Sequence, residues 1–81
     1  MEDKIIKEYR FLLGKEIKNV RKARGYSQSE LAEILQIDRS TISKIENGLF
    51  SISVDYLMKF SLALNHEFKI IDKRFLPGEN K

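Results

Sequence analysis

Positive charge is concentrated in residues 15–24. Five of these ten residues are basic and one, Glu16, is acidic, so the segment holds more excess positive charge than the whole chain, whose formal net charge is +3. A cluster of this kind is typical of a surface that binds phosphate groups, and it is equally typical of a solvated helix face. Charge alone leaves both interpretations open.

Cysteine and histidine, which many catalytic and metal sites use, are scarce in this chain. The chain has no cysteine and a single histidine, His66, so it lacks the ligands for a thiolate zinc site or a two-histidine metal site. It also has no glycine-rich phosphate loop, no paired carboxylate cluster and no nucleophile with a plausible base. We therefore expect a protein that is not an enzyme and that binds no metal or cofactor.

Length and composition favour one small globular domain. The chain has 81 residues, of which 42% are hydrophobic and 33% charged, and this balance is not typical of a disordered chain. Its apolar runs are far shorter than the ~20 residues that cross a bilayer, and its N-terminus does not resemble a secretion signal. We expect a cytoplasmic protein with no membrane partner.

The basic segment lies within a predicted first helix. Apolar residues recur every three or four positions over residues 3–24, which places them on one helical face. Gly14 is a weak point in this helix and is expected to cost about 1 kcal/mol relative to alanine. Residues 1–13 are therefore either a helical extension or a separate arm, and Gly25 is expected to end the helix.

Three shorter helices are predicted after the first. A Ser-x-x-Glu capping box precedes the second helix, which covers about residues 28–35. The second and third helices are separated by only about three residues, and two short helices joined in this way form a supersecondary unit. The expected N-caps are Ser27, Asp38 and Ser53, and the expected helix ends are Leu35, Asn47-Gly48 and Asn65.

Residues 66–73 have a different pattern. Phe68 and Ile70 alternate with charged residues, and this period of two predicts a β-strand. Because no second strand is evident in the chain, we expect this strand to pair with the same strand of a second copy and to form a homodimer. Residues 74–81 are expected to be a flexible tail.

Residues 27–47 resemble the helix-turn-helix of the lambda Cro and repressor family, also called the XRE-type family. The matching residues are Gln28, Leu31-Ala32, Ile37, Ser40-Thr41-Ile42, Ile45 and Glu46-Asn47-Gly48. The resemblance implies an all-α fold, a compact lambda-repressor-like bundle of four to five helices. Residues 14–65 would be its DNA-binding domain, to which the C-terminal strand is added.

The resemblance also implies roles for the polar residues. In this family the third helix lies in the major groove of DNA, and the base-contacting positions here hold Arg39, Ser40, Thr41, Ser43 and Lys44. Positions that contact the DNA backbone hold Gln28 and Asn47, and further positive charge comes from Lys18, Lys22 and Arg24. Arg21 and Glu46 match a buried structural ion pair.

Some of these side chains have alternative interpretations, and Ser40 can equally be an ordinary serine of the helix surface. The Arg39 guanidinium can pair with guanine O6 and N7, or it can pair with the neighbouring carboxylate of Asp38. Lys44 can contact a base or only a phosphate group. The residue types alone do not separate these alternatives.

The function expected from this reasoning is that of a transcriptional repressor, which binds a palindromic double-stranded DNA operator as a homodimer. Residues 64–71 also resemble the C-terminal strand of HipB-type antitoxins, which implies the alternative of an antitoxin with a toxin protein as its partner. A second alternative is a protein-interaction module without DNA binding, for which acidic or apolar residues are expected on the outer face of the third helix.

Overall fold

Four helices make up the part of the chain that the computed structural model describes, residues 2–69. They are α1 (Glu2–Ala23), α2 (Gln28–Leu35), α3 (Arg39–Glu46) and α4 (Val54–Leu64). The predicted all-α class is confirmed over these residues, and each helix begins and ends close to its predicted bounds.

Short polar side chains begin two of the helices. The Ser27 hydroxyl accepts a hydrogen bond from the Glu30 amide at 3.0 Å, and the Glu30 carboxylate accepts one from the Ser27 amide at 2.8 Å. Ser53 caps α4 in the same manner, through the Tyr56 amide at 3.1 Å. The predicted capping box is therefore confirmed. Asp38 is the N-cap residue of α3, as predicted, but it makes no side-chain hydrogen bond there.

Residues 2–13 continue α1 without a break through Gly14. A Cβ at this position would lie 2.8 Å from the Glu46 carbonyl oxygen, and nearer still to that of Ile45. Gly14 is therefore the point where the backbones of α1 and α3 make close contact. The sequence shows the cost of this glycine within a helix but not the packing that requires it.

The core lies between all four helices. Here α2 packs on α3, α1 packs on α3, and α4 packs on α2 and α1. The buried hydrophobic residues are Leu13, Ile17, Leu31, Ala32, Leu35, Ile42, Ile45, Leu57, Phe60, Leu64 and Phe68. This packing holds the short helices α2 and α3 in place, since helices of eight residues are not stable alone in water.

The structure of the segment after α4 differs from the predicted dimerising strand. Residues 66–69 are not a strand, and Phe68 is buried in the core of its own chain instead of facing a second copy. The segment is held on α1, because the Tyr9 hydroxyl donates to the Lys69 carbonyl oxygen and His66 Nε2 lies 2.9 Å from Glu16 Oε2. The alternation of apolar and charged residues after α4 therefore reflects the burial of one side chain, Phe68, in the core. Strand pairing across a dimer is not supported, and Ile70 and the predicted tail lie outside the described residues.

Candidate nucleic-acid interface

α3 has one buried face and one outer face. Ile42 and Ile45 point into the core, as their spacing predicts. On the other side Arg39, Ser40 and Lys44 are exposed, and Thr41 and Ser43 are half-buried at its margins. We call the surface formed by Arg39, Ser40, Thr41, Ser43 and Lys44 the outer face of α3.

The two cations of the outer face have no partner within residues 2–69. The ion pairs in this part of the chain join Arg21 to Glu46 and His66 to Glu16, and no side-chain hydrogen bond involves Arg39 or Lys44. The alternative in which Arg39 pairs with Asp38 is therefore not seen here. Both side chains present their hydrogen-bond donors to solvent.

A buried ion pair ties α1 to the end of α3. Arg21 Nε lies 2.6 Å from Glu46 Oε2, Arg21 Nη2 lies 3.1 Å from Glu46 Oε1, and both side chains are buried. The remaining guanidinium nitrogen, Nη1, donates to the Tyr26 carbonyl oxygen at 2.8 Å. This bidentate geometry fixes the outer face of α3 relative to α1.

Gln28 extends the same network to the start of α2. Its Nε2 donates to Glu46 Oε1 at 3.0 Å, and its side chain is half-buried. One carboxylate therefore links the first residue of α2 to the last residue of α3. The sequence predicts the ion pair and, separately, a DNA-backbone role for Gln28, but nothing in it indicates that the three side chains meet.

Arg24, one of the cations that were predicted to face DNA, is exposed and also contacts the end of α4. Its Nε donates to the Leu64 carbonyl oxygen at 2.7 Å and its Nη2 to that of Asn65 at 3.0 Å. The guanidinium thus satisfies carbonyl groups at the C-terminus of α4, where a positive charge is also favoured by the helix dipole. These contacts span about 40 positions of sequence, and no local pattern signals them.

The other predicted backbone-contacting residues remain at the surface. Lys18 and Lys22 are exposed on α1. Asn47 is exposed just after α3, where its Nδ2 donates to the Ser43 carbonyl oxygen at 2.9 Å. Asn47 therefore helps to close the end of α3, and Lys18 and Lys22 leave positive charge on the surface of α1.

No helix within residues 2–69 is long and apolar enough to cross a membrane. The same residues contain no group of three or more side chains placed to hold a metal ion.

Comparison with known proteins assigns the chain to a family. Residues 17–68 match the helix-turn-helix family HTH_3, and the chain belongs to this XRE-type family. The family comprises DNA-binding regulators and is not an enzyme family. The resemblance drawn from residues 27–47 is therefore confirmed.

Individual relatives include a regulator and an antitoxin. The chain is 42% identical to the HTH-type transcriptional regulator SinR of Bacillus subtilis over 55 residues, which cover 67% of this chain and 50% of SinR. It is 39% identical to the antitoxin PezA of Streptococcus pneumoniae over 46 residues, which cover 57% of this chain and 29% of PezA. The chain thus spans half or less of the length of these curated relatives.

A solved structure has the same fold. The crystal structure of the restriction-modification controller protein C.AhdI from Aeromonas hydrophila matches with a TM-score of 0.72 at 30% identity, covering 75% of this chain and 88% of C.AhdI. The arrangement of helices described above is therefore also found in a controller protein.

Proposed function

We propose that this chain is a sequence-specific DNA-binding transcriptional repressor that inserts α3 into the major groove and binds a palindromic operator as a homodimer. The observation that carries the proposal is the outer face of α3, whose two cations, Arg39 and Lys44, are exposed and have no partner among residues 2–69. The membership in a family of DNA-binding regulators supports it independently. A two-fold pair would place its α3 helices about 34 Å apart, one turn of B-DNA.

The outer face carries donors suited to base edges. The planar fork of Arg39 matches guanine O6 and N7, and such a pair contributes roughly 1–3 kcal/mol of discrimination against a wrong base. Lys44 contacts a base or a phosphate group, and Ser40 adds a weakly discriminating hydroxyl. Thr41 and Ser43, which are half-buried, contact the groove only at its margin.

Phosphate contacts then set the register of α3 on the duplex. Gln28 has a second amide hydrogen besides the one that it donates to Glu46, and we expect this hydrogen to be donated to a phosphate at the start of α2. Asn47 supplies a second contact, and Lys18 and Lys22 supply attraction at longer range. Arg24 adds its positive charge and its remaining donors, since only its Nε and Nη2 are used in the bonds to the Leu64 and Asn65 carbonyl oxygens.

Titration of duplex DNA at several salt concentrations tests this proposal. The logarithm of the affinity is expected to fall linearly with the logarithm of the salt concentration, and Lys44→Ala is expected to lower the slope by about one counterion. Lys7→Ala is the matched control, since Lys7 is exposed on α1 far in sequence from the motif. Absence of binding at low salt would contradict the proposed docking, and equal slopes for Lys44→Ala and the wild type would contradict a phosphate contact of Lys44.

An antitoxin role is the second candidate, and the similarity to PezA favours it. The two roles use the same contacts with DNA, and they differ in whether a protein partner exists. Coexpression of this chain with the product of the adjacent gene separates them. Rescue of growth from a toxic product indicates an antitoxin, and the absence of rescue indicates a repressor without a toxin partner.

A further inference from the structure

α4 leaves an apolar surface uncovered. Val54, Met58 and Leu62 are spaced four residues apart, so they form one line along the helix, and they are 60%, 58% and 81% exposed. We call these three side chains the α4 stripe. The opposite face of α4 is buried against α1 and α2. A soluble domain that exposes three neighbouring large apolar residues on one helix has a surface suited to a partner.

We propose that the α4 stripe is the surface through which two copies of this chain pair. The proposal rests on the proposed function, because a palindromic operator requires two copies related by a two-fold axis. Pairing through the stripe also replaces the strand pairing that the sequence predicted, because Phe68 is buried in the core of its own chain. The homodimer therefore uses a helix face in place of a C-terminal strand.

The size of the stripe fits the centre of a dimer interface. From its exposed fractions the stripe presents about 400 Å² of apolar surface, which is as large as the largest patch on many soluble monomers. A stable interface buries about 800 Å² per partner, with an apolar centre and a polar rim. The stripe supplies this centre, and the polar residues beside it supply the rim.

The charges beside the stripe favour an antiparallel pair of α4 helices. With the two-fold axis at Met58, Val54 of one copy lies against Leu62 of the other. Asp55 and Lys59 are both exposed and lie on the same side of the stripe, one turn apart. In this arrangement each Asp55 lies about 3 Å along the helix axis from the Lys59 of the other copy, and about 9 Å from its Asp55. Opposite charges are therefore closest across the interface.

Lys59 must turn to make this contact. In the single chain its ammonium lies 5.8 Å from the centre of the Tyr56 ring. Both that contact and an ion pair with Asp55 of the second copy are exposed and weak, so exchanging one for the other costs little. The apolar stripe provides the affinity, and the charges select the antiparallel orientation.

The arrangement leaves the DNA-binding surface available. α4 packs on α1 and α2, and the α4 stripe shares no residue with the outer face of α3. A second copy that contacts only the stripe and its rim therefore covers no residue of the outer face of α3. This is what a dimer needs in order to contact two half-sites at once.

Sedimentation equilibrium of the full chain without DNA tests the interface. The wild type is expected to be a dimer, and Leu62→Glu is expected to weaken association about a hundredfold with unchanged helix content in circular dichroism. Leu49→Glu is the matched control, because Leu49 is 75% exposed but lies outside α4. The proposal would be overturned by a monomeric wild type or by equal association of Leu62→Glu and the wild type. It would also be overturned if Ile70→Glu dissociates the dimer and Leu62→Glu does not.

A charge swap tests the orientation separately. Lys59→Asp brings like charges together across the interface and is expected to weaken the dimer about tenfold. The double variant Asp55→Lys/Lys59→Asp restores opposite charges and is expected to recover most of the association. Failure of the double variant to recover, with helix content retained, would overturn the antiparallel arrangement.

The same variants separate this inference from the proposed function. If the chain dimerises through the stripe but does not bind DNA at low salt, the proposed function fails and the interface stands. If Leu62→Glu leaves a dimer that binds DNA, the interface is wrong and the proposed function stands.

Discussion

Replacement of Gly14 by alanine tests how α3 is positioned. An added Cβ would overlap the carbonyl oxygens of Ile45 and Glu46, which are backbone atoms and cannot rotate away. α1 and α3 must then move apart, at a cost of about 2–3 kcal/mol, in the upper part of the range for overpacked cores. Alanine also stabilises the helix by about 1 kcal/mol relative to glycine, because its helix propensity is higher. We expect a net loss of about 1–2 kcal/mol.

Urea unfolding followed by circular dichroism measures this loss. In thermal unfolding of a domain of this size, the same 1–2 kcal/mol corresponds to a fall in the midpoint temperature of roughly 5–15 °C. Asn19→Ala is the control, because Asn19 is exposed on the same helix and alanine there is expected to raise stability by a few tenths of a kcal/mol. A Gly14→Ala variant as stable as the wild type would refute the close contact between α1 and α3.

Three further substitutions have expected outcomes in the same unfolding assay. Arg21→Ala leaves the buried carboxylate of Glu46 without its partner and is expected to cost about 3–5 kcal/mol; a loss below 1 kcal/mol would contradict the buried network. Arg24→Ala removes two partly exposed hydrogen bonds to α4 and is expected to cost about 1 kcal/mol, and no loss would show that these bonds are not formed in solution. Ser53→Ala removes the N-cap of α4 and is expected to cost about 1 kcal/mol, whereas Ser51→Ala, on the same exposed loop, should cost less.

Local signals explain how far the fold could be predicted. Ser27 and Ser53 cap their helices through neighbouring amides, and Gly25 and Asn65 take the left-handed conformation, with φ of 82° and 51°, where the helices end. Each of these features depends on residues a few positions apart. Gln36 shows the limit of such signals, since it has φ of 58° although glutamine has no preference for this conformation.

The features that were missed depend on residues that are distant in sequence. Gly14 is required by a backbone contact with α3, and Arg24 binds carbonyl groups at the far end of α4. Phe68 follows a period of two that fits a strand, but the core of the same chain provides its partner. Each of these contacts is set by tertiary packing, which the local pattern does not contain.

In the candidate site, the contact between Gln28 and Glu46 is another feature that the sequence does not predict. The family resemblance identifies its position at the start of α2, and the ion pair of Arg21 with Glu46 follows from the same resemblance. The hydrogen bond from Gln28 to Glu46 appears only once α2 and α3 are packed together. A change at Glu46 is therefore expected to disturb both the core and the DNA-backbone contact that we propose for Gln28.

Base preference at single positions tests the central claim most directly. The site is first selected from random duplexes, and the wild type and Arg39→Ala are then titrated with that site and with each single base-pair variant. The wild type is expected to lose roughly 5- to 150-fold in affinity at one base pair of each half-site, and Arg39→Ala is expected to be indifferent there while it keeps the other preferences. An identical preference profile for the two proteins would contradict the assignment of the outer face of α3 as the surface that contacts the bases.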